Sequence, residues 1–211
     1  MKLKLNDNTK FLIKTGLLYG LIALVFSLTS FMFIESCDWC GDKQTPEFDN
    51  DLIMHMIGHA LFGMIVALPI WKIRYIIASG IFVVTMDFDH ALKYIIGFVE
   101  DNILFTDIGF DIISRTGHSI LFGVIVAIVI MYVYGKKDYF LGAISVAAVF
   151  GHMAFDVFSN SGVFPLFMPI SDEMFYFSQE SWVIIMIVGL GITSITKIVI
   201  YRKEQFEKQL T

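Results

Sequence analysis

The chain has 211 residues, of which 56% are hydrophobic, 15% aromatic and only 17% charged, with a net charge of −5; its mean hydropathy is +0.72. A soluble domain carries about 25% charged residues, so this composition excludes a water-soluble globule, a disordered chain and a fibrous repeat. With two cysteines it also excludes a disulfide-built scaffold, and the apolar residues fall in blocks that read as an integral membrane protein.

A bilayer core needs ~20 apolar residues per spanning helix, and six blocks fit. They run from about Phe11 to Ile34, Leu52 to Ile70, Ile73 to Met86 (or across a polar band to Phe98), Ser119 to Tyr134, Tyr139 to Phe158, and Trp182 to Tyr201. The prediction is an all-α fold, a polytopic membrane bundle of about six transmembrane helices. Lys2, Lys4, Lys10 and Lys14, then Lys72 and Arg74, then Lys136 and Lys137, then Arg202, Lys203 and Lys208 mark every second connection as basic. The other connections are acidic, with Lys43 and Arg115 as nearly their only cations. The Lys/Arg bias predicts that both termini are cytoplasmic. It places the chain in the cell membrane as a multi-pass protein, and the net charge averages two oppositely charged faces.

The first block opens on a basic stretch, but its apolar run is long and no A-x-A cleavage pattern follows, so it reads as a span. Residues 1–51 form that helix and an acidic outer loop, and 52–211 form the membrane-embedded domain. In the loop, Cys37-Asp38-Trp39-Cys40 has redox or half-metal-site spacing. Without a second pair, a local disulfide or two spare thiols is the preferred reading.

An ionisable residue inside a span is costly and points to function. All five histidines lie in or beside spans. His55 and His59 are four apart and share one helix face; they can offer two imidazoles to a metal, or His55 can orient its neighbour. Asp87-Phe88-Asp89-His90 interrupts the third block, and so much charge is expensive there unless a cation offsets it; Lys93 competes for Asp89. Arg115-Thr116-Gly117-His118-Ser119 opens the fourth block, a setting that suits an anion at a helix start; anchoring by Arg115 and capping by Ser119 are the plainer roles. His152 and Asp156, four apart on the fifth block, can both bind metal, or Asp156 can fix the imidazole tautomer.

Topology adds a test. At 1.5 Å per residue, Asp87 stands ~20 Å above Ile73 and His152 ~20 Å above Tyr139. His55, His59, Arg115 and His118 open their own blocks on the same side. All four groups therefore reach one outer depth, where a shared site of nitrogen and oxygen ligands suits zinc or manganese, one ion or two. The aromatic connection from Ser159 to Glu180 reads as an interfacial cover or anchor.

These stretches resemble the LexA-regulated, membrane-bound, predicted metal-dependent hydrolases. The matching pieces are His59, Asp87-Phe88-Asp89-His90, Arg115-Thr116-Gly117-His118-Ser119, His152-x-x-x-Asp156 and the Gly162-to-Pro169 stretch. They extend from about Leu52 to Ile170. The chain departs from the family by about fifty preceding residues and by Ser114 where the family often has a histidine. A looser likeness to zinc-dependent phospholipases C rests on the His-x-x-x-Asp element. The resemblance implies a metal-dependent hydrolase without a settled substrate.

The combined expectation is an enzyme acting on a lipid or lipid-linked phosphoester at the outer leaflet through a metal-activated water. His55, His59, Asp87, His90, His118, His152 and Asp156 are the candidate ligands. Asp89 is the candidate base or bridging ligand, and Arg115 the group that holds substrate negative charge. No nucleic-acid partner is expected, and the oligomeric state is open. A divalent-cation transporter and a metal-stabilised structural protein are the alternatives. The apolar inner halves of the second, fourth and fifth blocks weigh against transport.

Overall fold

The computed structural model describes residues 6–31, 52–87, 116–134, 138–159, 162–171 and 173–210. They are mostly helical. The helices are α1 (Asp7–Phe31), α2 (Leu52–Ala67), α3 (Ile73–Met86), α4 (Ile120–Val133), α5 (Tyr139–Ser159) and α6 (Trp182–Leu210). Asn6 caps α1, its Oδ1 accepting from the Thr9 backbone N–H at 2.8 Å. A short 3₁₀ turn, Leu68–Ile70, opened by Pro69, continues α2, and the chain then reverses at Trp71 with φ 56°.

Three stretches are long and apolar enough to cross a membrane: Asp7–Thr29, Tyr139–Ser159 and Gln179–Leu210. The other helices are shorter, with 16 residues in α2 and 14 each in α3 and α4. Polar residues set those limits: α3 stops at Asp87, and α4 begins only after Ser119, whose hydroxyl caps it by accepting from Leu121 N–H at 3.2 Å.

One feature departs from the all-α reading and one from the expected extent of the last block. First, part of the 159–180 connection forms a ribbon: β1 (Gly162–Phe164) pairs antiparallel with β2 (Phe175–Phe177), Val163 opposite Tyr176. Second, α6 runs nine residues past Tyr201 to Leu210. Arg, Lys, Glu and Gln are good helix formers in water, so loss of apolarity marked the end of the buried stretch and not of the helix.

The core is built around α5, which touches α2, α3, α4 and α6. Gly142, Ala143, Ser145, Ala147, Ala148, Gly151 and Ala154 are buried along it, and such small residues let helix backbones approach closely. At the α2–α5 crossing, a Cβ on Gly151 would sit 3.3 Å from Gly63 Cα. By contrast, α6 buries only Ile185, Met186, Gly189 and Thr193 and exposes Ile184, Ile187, Ile195 and Ile198. A face this apolar belongs against lipid. Buried hydroxyls tie helices to neighbouring carbonyls: Tyr19 Oη donates to Ser145 O at 3.1 Å and Thr193 Oγ1 to Val66 O at 2.6 Å.

Candidate metal centre

Four separate parts of the chain bring donors to one end of the bundle. His55 and His59 come from the first two turns of α2, Asp87 from the end of α3, His118 from the turn before α4, and His152 and Asp156 from the C-terminal half of α5. All six described ligand candidates converge. Asp89, His90, Arg115, Lys93, Cys37 and Cys40 lie outside the described residues.

Asp156 is the hub. Its Oδ2 lies 2.9 Å from His118 Nε2 and 3.3 Å from His152 Nε2, and its Oδ1 lies 3.2 Å from His59 Nε2. Asp87 stands beside it, with Oδ1 3.3 Å from His152 Nε2 and Oδ2 3.9 Å from His59 Nε2. His55 Nε2 is 2.9 Å from His59 Nε2. The side chains of His59, His152 and His118 are 0%, 1% and 3% exposed, against 26% for Asp87 and 21% for Asp156. The centre therefore opens on the side of its carboxylates and of the exposed His55.

One alternative left by the i,i+4 spacing is resolved here. His152 Nδ1 lies 3.1 Å from the Val83 carbonyl, which can only accept. Nδ1–H can donate to it, which leaves Nε2 facing the carboxylates, either as the second N–H of an imidazolium or as a ligand to a cation held between them. This is the usual outer-shell arrangement for a metal-binding histidine, supplied by α3 backbone. Asp156 meets the inward nitrogen instead.

Aromatic rings hold the imidazoles in place. Phe155 packs on His59 and His55 with ring centroids 4.6 Å and 5.2 Å away. It fits because residue 58 is glycine: a Cβ there would run into the Phe155 ring. On the other flank Phe164 of β1 stacks on His118 at 5.1 Å, nearly parallel. The segment after β1 is pinned in turn, since Ser119 Oγ donates to the Leu166 and Met168 carbonyls at 3.1 Å and 2.8 Å. Sequence reasoning missed Gly58, Val83, Phe155 and the stacking role of Phe164. Only the aromatic richness of the Ser159–Glu180 connection signalled the last.

The donor chemistry fits a divalent metal. Three overlapping groups, His55–His59–Asp156, His59–Asp87–His152 and His118–His152–Asp156, each bring their ligand atoms within 4.8 Å of one another. Mixed imidazole and carboxylate donors suit zinc or manganese. No family model, curated protein or solved structure matches the chain. Function is therefore read from the centre itself.

Proposed function

We propose that the protein is a membrane-embedded, metal-dependent hydrolase whose centre lies at the outer leaflet and acts on a lipid or lipid-linked phosphoester. The observation that carries this reading is the convergence of six imidazole and carboxylate side chains from four chain segments at one end of the bundle. In this reading all six helices span, both termini are cytoplasmic, and α2, α3 and α4 are short because the centre sits within the membrane at their ends. The Lys/Arg bias supports that orientation.

A divalent ion at the centre, zinc or manganese, would supply a Lewis acid and water of near-neutral pKa. The protein's own contributions are separate. His152 is oriented by the Val83 carbonyl, the half-open Asp87 and Asp156 carboxylates face the entry side, and Phe155 and Phe164 fix the imidazole planes. Asp89 as base and Arg115 as the phosphate-holding cation complete the proposed machinery from outside the described residues. A lipid substrate is supported by an apolar groove of about 250 Å³ along α2 and α3, lined by Met64, Ile77, Ile81 and Val84.

The test is metal analysis of detergent-purified protein coupled to a lipid-phosphoester hydrolysis screen. Stoichiometric metal and an activity lost in His118→Ala are expected. Metal-free protein, or unchanged activity in that variant, would reject the enzyme.

A further inference from the structure

We infer that the centre holds two divalent ions bridged by Asp87 and Asp156. This rests on the metal-centre reading above and commits it to a stoichiometry and a division of ligands.

The two carboxylates split their oxygens in the same way. Asp156 turns Oδ1 to His59 at 3.2 Å and Oδ2 to His118 and His152 at 2.9 Å and 3.3 Å. Asp87 turns Oδ2 to His59 at 3.9 Å and Oδ1 to His152 at 3.3 Å. His55 falls on the His59 side, 2.9 Å from its Nε2. One set is thus His55, His59, Asp156 Oδ1 and Asp87 Oδ2. The other is His118, His152, Asp156 Oδ2 and Asp87 Oδ1.

An imidazole nitrogen has one lone pair and serves one ion, whereas a carboxylate has two oxygens and can serve two. Zinc almost always takes four ligands in structural sites. Four nitrogens and four oxygens divided into equal sets are therefore twice what one such ion uses. The spacings agree: donors about 2.1 Å from a shared ion lie about 3.0 Å apart at a right angle and about 3.4 Å apart at the tetrahedral angle. Of the six donor distances given above, the five of 2.9–3.3 Å lie in or at the edge of that interval, and Asp87 Oδ2 to His59 is wider at 3.9 Å.

The two sets are adjacent. The His59 and His152 rings belong to different sets and stack with centroids 4.0 Å apart and an interplanar angle of 18°. They turn Nε2 to different oxygens of Asp156, as ligands of neighbouring ions would, and Asp87 lies between them in the group that joins the sets. Ions in two-metal hydrolytic sites lie about 3.5–4 Å apart. A pair so spaced clamps both the attacking and the leaving oxygen of a phosphoester, which narrows the substrate class from esters in general to phosphoesters.

The test is Mn²⁺ titration of the full-length chain, stripped of metal in detergent, with bound metal counted by mass spectrometry and electron paramagnetic resonance recorded. Two Mn²⁺ per chain with the spectrum of a magnetically coupled pair are expected. His55→Ala and His118→Ala should each retain one ion with the spectrum of isolated Mn²⁺. His55 is exposed, so its variant folds even if the His118 variant does not. A plateau at one uncoupled ion overturns the two-ion centre and leaves the metal reading intact. No bound ion overturns both. A coupled pair persisting in His55→Ala overturns the ligand division.

Discussion

The two ends of the bundle handle buried polarity in opposite ways. At the end away from the metal centre, Tyr75, 2% exposed, accepts from Arg74 Nη2 at 2.5 Å and donates to both Asp138 oxygens at 2.9 Å. Asp138 also accepts from Leu141 N–H at 3.1 Å, capping α5, and Lys72 lies over the Phe140 ring. Cation, phenol and carboxylate complete one another there. At the metal end Asp156 is faced by three imidazoles. Those rings can meet it as neutral acceptors around a cation far more readily than as three buried charges. The first arrangement is complete in itself and tightens the fold. The second gathers imidazoles and carboxylates that could hold a metal ion, so polarity that looks alike in the sequence ties helices together at one end and collects candidate ligands at the other.

The largest expected effect breaks the metal end alone. Asp156→Asn removes the negative charge and replaces one of the two oxygens that face the imidazoles, and metal affinity should fall by more than the ~10–100-fold typical of outer-shell changes. Equilibrium dialysis against Zn²⁺ measures this, and retention of wild-type affinity would remove Asp156 from the centre. Gly58→Ala pushes a methyl into Phe155. Overpacking of this kind costs about 1–3 kcal/mol, and a lower unfolding temperature in detergent should come with weaker metal binding, because Phe155 supports two ligands.

Tyr75→Phe tests the opposite end. Losing the phenol should cost about 0.5–1.5 kcal/mol and leave metal content unchanged; a loss of metal would show that the two ends are coupled. The smallest effect belongs to Phe164→Ala. A ring stack is worth about 0.5–1.5 kcal/mol, so metal affinity should drop by roughly tenfold or less, with the other imidazoles unaffected.

Much of the centre was legible because helices translate spacing into direction. The four-residue intervals between His55 and His59 and between His152 and Asp156 put each pair on one face. Counting rise from the helix starts placed Asp87 and His152 at one level. The ribbon was not legible, because the pairing of Val163 with Tyr176 depends on how the intervening segment is held by Ser119. The length of α6 was missed because hydropathy reports burial, while helix continuation past Tyr201 depends on backbone propensity.

The sequence by itself determined the chemistry available and its height in the bundle: seven candidate ligands, six of them among the described residues, and apolar blocks that carry those six to one end. These follow from residue type and helical rise, which need no knowledge of neighbours. Only the tertiary structure decided which atoms meet. The rotation of each helix about its axis, set by contacts such as Gly151 against Gly63 and Phe155 over Gly58, turned His152 Nδ1 to Val83 and set one oxygen of each carboxylate toward His59 and the other toward His152. That rotation is a property of packed surfaces, and no spacing along a single helix encodes it.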